Sequence, residues 1–163
     1  MPVQYAGEYK LLECKLMSST GAVARLDDKV ISFQIYENMF SQSLIASLTI
    51  IDNTNMVMKM PIVGQEFVAL RIETPDIGEL NFTDNVFAVT GVKARQDASN
   101  DTQLYDLNLV STESLRNSRT RVSKSYSGSI SQTVVNILRD ESLIDTNKDV
   151  FVDPTSGSRK FVA

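Results

Sequence analysis

The chain has 163 residues, of which 16 are Lys or Arg and 20 are Asp or Glu, so its formal net charge is −4. This balance argues against a nucleic-acid binder driven by bulk positive charge. The length suits one domain, or one domain plus part of another. Because histidine is absent, His-based acid–base chemistry, Ser-His or Cys-His nucleophile pairs and most zinc sites are excluded.

The acidic character is concentrated in the first two thirds of the chain. Residues 1–111 contain 8 basic and 14 acidic side chains, whereas residues 112–163 contain 8 and 6. No apolar stretch of about 18 residues is present, and no charged N-terminal region precedes an apolar run. We therefore expect no membrane-spanning helix and no signal peptide.

Alternation of apolar and polar side chains predicts six strands. In the first of them, Leu12, Cys14 and Leu16 share one face, so Cys14 is interpreted as a small core residue; as the single cysteine it cannot form an internal disulfide. In the second, Ile31, Phe33 and Ile35 are expected to face inward. The six predicted strands cover residues 9–17, 30–36, 44–51, 66–72, 86–94 (bent at Gly91) and 103–110.

Polar corners separate these strands. Asp52, Asn53 and Asn55 suit a corner that leads into a short apolar turn, which Pro61 ends. The polar segment 95–102 is expected to form a hairpin-type connection. Together the pattern predicts a mainly β fold, a small antiparallel β-barrel or sandwich of about six strands with a short helix.

The pattern changes after residue 111. Residues 111–117 are expected to form a short helical turn, and residues 129–140 a helix with Ser129 as N-cap and Gln132 closing a capping box. Its apolar stripe must be buried against something. We expect a strand-rich domain at residues 1–115, a basic linker at 116–128, and an incomplete second domain at 129–163, consisting of this helix and an extended tail.

No motif for catalysis, cofactor binding or metal binding emerges. Asp145, Asn147 and Asp149 have the spacing of a calcium loop, but Val150 stands where Gly is needed and no Glu follows, so a solvated corner is favoured. Asp27 and Asp28 are interpreted as turn caps. The four methionines at 39, 56, 58 and 60 are interpreted as filling gaps in the core, and an adaptable contact patch is the alternative.

The assembled segments resemble the N-terminal part of the baseplate central hub protein of contractile-tailed bacteriophages (myoviruses). They are IYENMF, LTIIDNTN, MPIVGQEF, FTDNVFAV, and the block RTRVSKSY followed by a helix ending in ILRDE. The basic block is the most specific, because neither barrel packing nor helix propensity demands it. The resemblance covers nearly the whole chain.

The resemblance implies a tail-tube-like domain in a structural virion protein, and no enzyme. Such a hub is a homotrimer that forms a pseudo-hexameric ring joining the tail tube protein to the central spike protein, beside baseplate wedge proteins. DNA passes through its channel without specific binding. The protein would be made in the host cytoplasm and located in the tail baseplate.

Three other functions stay open. A tail-tube subunit would form stacked hexameric rings. A cell-surface binding module would need exposed aromatics, for which Tyr5, Phe82 and Tyr126 are the candidates. A hydrolase using two carboxylates is disfavoured because no catalytic motif is recognisable.

Three segments are the candidates for contact between subunits: the loop at 37–43, the corner at 52–61 and the basic run. Their candidate residues are Glu37, Asn38, Met39, Phe40, Asp52, Asn53, Asn55, Met60, Arg116, Arg119, Arg121 and Lys124.

Overall fold

The computed structural model describes Tyr5 and residues 8–41, 43–99 and 101–162. The chain forms two compact units, residues 1–112 and residues 113–163. The strands of the first unit are β1 (Lys10–Met17), β2 (Val23–Arg25), β3 (Val30–Tyr36), β4 (Ile45–Asp52), β5 (Phe67–Thr74), β6 (Gly78–Ser99) and β7 (Thr102–Ser111). A single helical turn, α1 (Met56–Lys59), lies between β4 and β5.

All seven strands belong to one antiparallel sheet in the order β2-β1-β5-β6-β7-β4-β3. The sheet is curled into a half-barrel. This confirms the mainly β antiparallel class expected from the sequence, with one strand more than predicted. Strand β2 was not predicted, because three residues are too few to display an alternation. Strands β2 and β3 form the two outer edges of the sheet.

The core of the first unit lies on one face of this sheet. Alternate residues of the inner strands are buried there, including Leu48, Leu70 and Leu107, and Tyr105 is the largest fully buried side chain. The expectation that Cys14 is a core residue is confirmed, since it is fully buried. Burial, and then the nearby Asp27 carboxylate, raises the pKa of the Cys14 thiol to about 12, so the thiol is unreactive at neutral pH.

One predicted inward residue faces outward. Ile31 was expected to share the core face with Phe33 and Ile35, but it is 49% exposed. The pairing of β3 with β4 shifts between Val30 and Ser32, which leaves Ile31 as the extra residue of a bulge. A bulge inverts the alternation beyond it, and nothing in the residue types signals its position.

Strand β6 is longer than predicted at both ends. The pairing of β6 with β7 is irregular at Gly91, as expected, and again between Lys93 and Gln96, where Ala94 has a positive φ of 51°. The segment 95–102, expected as a polar connection, continues the strand to Ser99. The Arg95 guanidinium donates to Gln103 Oε1 at 2.8 Å and 3.1 Å, which ties the two polar strand ends together.

The second unit contains two helices and a small hairpin. Helix α2 (Thr112–Arg119) is followed by strand β8 (Ser125–Gly128), helix α3 (Ile130–Arg139) and strand β9 (Arg159–Val162), which pairs with β8 antiparallel. The segment 116–128, expected as a linker, therefore holds the end of α2 and all of β8. Helix α3 begins where it was predicted.

The N-cap of α3 forms half of the predicted capping box. Ser129 Oγ accepts the backbone N–H of Gln132 at 3.3 Å. The Gln132 side chain does not return to Ser129 but donates to Asn136 Oδ1 one turn on. Of the predicted apolar stripe, Ile130 and Val134 remain substantially exposed.

Candidate functional site

The loop between β3 and β4 presents two large apolar side chains to solvent. The Asn38 side chain accepts the backbone N–H of Phe40 at 2.9 Å, and the Asn38 carbonyl accepts the N–H of Ser41 at 2.9 Å. These bonds form a compact Asx-type turn. Met39 and Phe40 at its tip are 88% and 89% exposed, and Glu37 beside them is also exposed. We call residues 37–41 the apolar turn.

Further exposed apolar side chains lie beside the apolar turn. Tyr36, the last residue of β3, pairs directly with Ile45, the first residue of β4, and both are about half exposed on the face away from the core. Because β3 is an edge strand of the described sheet, this apolar surface adjoins backbone groups that have no strand partner among the described residues. Sequence reasoning identified the turn but not this neighbouring pair.

The corner at 52–61 is built around a buried carboxylate. Asp52 Oδ1 accepts the backbone N–H and the hydroxyl of Thr54, both at 2.9 Å, and Asp52 Oδ2 accepts the N–H of Met56 at 2.6 Å. Burial opposes ionisation, but these hydrogen bonds outweigh it and hold the pKa of Asp52 below its usual value. Both carboxylate oxygens of Asp52 are therefore used in hydrogen bonds that stabilise the corner.

The other candidates at this corner divide by exposure. Met60 is buried, whereas Asn53 and Asn55 are exposed, and Asn53 accepts a hydrogen bond from Lys29 Nζ at 3.0 Å. Among the four methionines, Met56 and Met60 fill the core and Met39 and Met58 are exposed. Core filling is therefore confirmed for Met56 and Met60, and a contact role for the two exposed methionines stays a prediction.

A second buried carboxylate shapes a cavity in the first unit. Glu66 accepts the backbone N–H groups of Val63, Gly64 and Gln65 at 2.8–3.1 Å, and so fixes the segment that leads into β5. Between this segment and the β1–β2 turn lies a cavity of about 370 Å³. We call it the rim cavity; it is lined by Ser18, Ser19, Thr20, Ala22, Lys59, Met60, Pro61, Val63 and Glu66.

The basic run is only partly free for contacts with a partner. Arg116 forms an ion pair with Asp145 at 2.7 Å within the second unit, and Lys124 lies over the ring of Tyr126. Arg119 and Arg121 are exposed, and neither forms an ion pair with any residue that the structure describes. These two cations are therefore the free charges of the run.

Helix α2 is tied to the segment after α3 by a second cluster. Glu113 accepts hydrogen bonds from Thr146 Oγ1 at 2.8 Å and from Lys148 Nζ at 3.0 Å. Burial opposes ionisation of Glu113, but these bonds outweigh it and lower its pKa. With the ion pair of Arg116 and Asp145, this cluster closes the second unit.

The carboxylates singled out for metal or turn chemistry have structural contacts. Asp145, first in the calcium-like spacing, is engaged by Arg116. Asp27 accepts the N–H of Cys14 and the Arg25 guanidinium, which braces β2 against β1. Within the described parts of the chain, no three His, Cys, Asp or Glu side chains are grouped as metal ligands.

Among the described helices, none has the length and apolar character needed to cross a bilayer.

Comparisons with known proteins give only distant structural similarity. No protein-family model matches the chain, and no curated protein sequence matches it significantly. A solved structure that matches is the E. coli c3393 protein, a component of the type VI secretion system with structural similarity to the T4 bacteriophage tail proteins gp27 and gp5. The match has 16% sequence identity and a TM-score of 0.42, and covers 86% of this chain. This chain spans 32% of that protein's length.

Proposed function

We propose that this chain is a structural subunit of a phage-type tail, a baseplate hub protein whose copies form a ring around a central channel. The observation that carries the proposal is the edge strand β3, whose outer side has no strand partner in the described part of the chain, together with the exposed apolar side chains beside it. An edge strand with unpaired backbone groups is a template for pairing with another chain. The apolar turn adds contact surface of the kind that marks protein–protein interfaces.

The charge distribution supports a channel. The strand-rich part carries the chain's acidic excess. An acidic wall repels phosphates, which lets DNA pass without being retained. The free cations Arg119 and Arg121 would contact an acidic neighbour, which the first unit of another copy provides.

The sequence resemblance supplies the finer proposal. The hub would be a homotrimer with a pseudo-hexameric ring, in contact with a tail tube protein, a central spike protein and baseplate wedge proteins. It would be located in the virion baseplate after synthesis in the host cytoplasm. We further propose that residues 1–115 act as the tail-tube-like domain and that the protein has no enzymatic activity.

Solution mass and electron microscopy of the purified chain test this proposal. Light scattering after gel filtration, over a range of concentrations, is expected to give a trimer, and negative-stain images are expected to show closed rings. A hexamer that stacks would instead favour a tail-tube subunit. A monomer at every concentration would contradict self-assembly of this chain into a ring.

A further inference from the structure

We propose that the apolar turn of one copy inserts into the rim cavity of a second copy, so that identical chains bind head to tail. This inference rests on the proposed ring and names the contact that would build it. Among the residues that the structure describes, neither surface is covered: Met39 and Phe40 are exposed to solvent, and no described side chain fills the rim cavity.

The side chains of the apolar turn match the rim cavity in size and in chemistry. Phe40 ends in a benzene ring, and an apolar cavity of about 150 Å³ is enough to hold benzene. The rim cavity has about 370 Å³, which leaves room for Met39 as well. Four of its lining residues are apolar: Ala22 on one side, and Met60, Pro61 and Val63 on the other. Methionine is unbranched and adapts to irregular gaps.

Both surfaces are held in place before contact. The two hydrogen bonds of Asn38 fix the apolar turn. The Glu66 carboxylate fixes one side of the cavity, and backbone bonds between Ser18 and Ala22 and between Gly21 and Ser18 fix the other. Ordering costs on binding are therefore small, which favours affinity.

Charges beside the two surfaces are complementary. Glu37 lies next to Met39 in the apolar turn, and Lys59 lines the rim cavity. Both side chains are exposed, so the pair would steer and orient the contact more than strengthen it.

The topology places the two surfaces at opposite ends of strands that run in the same direction, β4 and β1, and toward opposite sides of the strand order. The apolar turn joins the end of β3 to the start of β4, while the cavity lies at the end of β1 and before the start of β5. Strands β3 and β2 are the two outermost strands. A contact between two different surfaces is heterologous and adds copies in one direction, which gives a ring when the rotation between copies closes.

Two single variants separate the two halves of the contact. Phe40→Asp removes the inserting side chain, and Val63→Asp places a charge on the cavity wall. Both positions are exposed, so each variant is expected to keep the circular dichroism spectrum and melting temperature of the parent. Ile77→Asp is the matched control, because Ile77 is exposed to a similar extent as Val63 and lies on the β5–β6 turn, at the end of β5 opposite to the rim cavity.

Light scattering is expected to show that each variant associates at least about tenfold more weakly than the parent, as for a central interface residue. Ile77→Asp should associate like the parent. A mixture of the two variants provides the sharper measurement. One keeps its cavity and the other keeps its turn, so together they should form 1:1 dimers that cannot grow further.

Cross-linking checks the contact directly. A Phe40→Cys copy mixed with a Val63→Cys copy should give a disulfide-linked heterodimer under mild oxidation, whereas each variant alone should not. The buried Cys14 does not compete.

The outcomes distinguish this inference from the proposed function. If the parent oligomerises and both Asp variants oligomerise equally well, the ring stands and the inserted-turn contact is overturned. If neither variant rescues the other in the mixture, the contact is not head to tail. If the parent is monomeric at every concentration and no cross-link forms, both proposals fail.

Discussion

The hydroxyl of Tyr105 is buried and forms no hydrogen bond with any described residue. The side chain is fully buried, and burial, reinforced by the negative charge of Asp52, raises its pKa. The ring fills the middle of the core, so its apolar part stabilises the sheet while its hydroxyl pays a desolvation cost. The apolar surroundings of Tyr105 therefore suit the ring but offer no hydrogen bond to its hydroxyl.

Replacing Tyr105 by Phe is therefore expected to leave the free energy of unfolding unchanged or to raise it by about 1–2 kcal/mol, because an unsatisfied buried group is removed. Urea unfolding measures this. Tyr36→Phe, at an exposed hydroxyl that donates to Gln34, should change stability by no more than about 0.5 kcal/mol. A loss above 1 kcal/mol in Tyr105→Phe would mean that the hydroxyl is satisfied.

Asp52 makes stability depend on pH. Its folded-state pKa is lowered, so its carboxylate stabilises the fold above the unfolded-state pKa of about 3.9, and this contribution is lost as the pH falls through the folded-state value. Asp52→Asn should destabilise the chain by about 1–3 kcal/mol at pH 7, and by clearly less near pH 2. Denaturant unfolding at both pH values tests this.

The exposed Asp76, in the β5–β6 turn, provides the control for this series. Asp76→Asn should change the free energy of unfolding by no more than about 0.5 kcal/mol at pH 7. An Asp52→Asn penalty that is equal at the two pH values would show that shape, and not charge, holds the corner.

At the scale of elements, two side chains accept backbone N–H groups at the start of helix α3: Ser129 Oγ accepts that of Gln132, and Thr155 Oγ1 accepts that of Ser131 at 3.2 Å. Ser129 satisfies one of the backbone donors at the helix start, and the other half of the capping box is absent. Ser129→Ala is expected to cost about 1 kcal/mol of helix stability. Amide hydrogen exchange in residues 130–139 should then be about fivefold faster, if exchange proceeds by local opening.

Ser123→Ala is the control for the cap, since Ser123 is exposed and lies outside the helices and strands of the second unit. It should leave exchange in α3 unchanged. Equal exchange in both variants would indicate that packing, and not the cap, limits opening of this helix.

Elements with a regular alternation could be predicted closely from the sequence. Strand β3 and helix α3 agree with their predicted positions within one residue, because each carries its full period within its own sequence. Strand β2 and the tip of β6 could not be predicted, since one is short and the other is polar on both faces. Pairing with neighbours, and not local preference, makes them strands.

The candidate surface was foreseen only in part. Met39 and Phe40 were among the candidate contact residues of the loop at 37–43, and they are exposed. The rim cavity escaped sequence reasoning, because its two walls are distant in the chain and meet only through the pairing of β1 with β5. The role of Glu66 was hidden for a related reason, as its partners are backbone groups that carry no sequence signal.

At the scale of the whole molecule, the charges of the two units predict salt-sensitive assembly. Reversing Arg119 and Arg121 together to Glu should weaken ring formation, because the acidic surface of a neighbouring copy would lose its counterpart. Light scattering in low and high salt measures the effect, which should be largest in low salt.

Lys93→Glu, an exposed reversal within the first unit, controls for net charge. Ring formation that is unchanged by the double reversal would remove the basic run from the proposed interface. Equal weakening by Lys93→Glu would point to overall repulsion between copies.

The strand order also sets the sequence of events in folding. Strands β3 and β4 pair early as neighbours, but the other side of β4 must wait for β7, the last strand of the sheet to be synthesised. Strand β1 likewise waits for β5. Long-range pairing of this kind is slow, and until it is complete the apolar strands are exposed to solvent without their partners. During translation, the β3–β4 hairpin is therefore the segment that most needs protection by a chaperone until the first unit has left the ribosome.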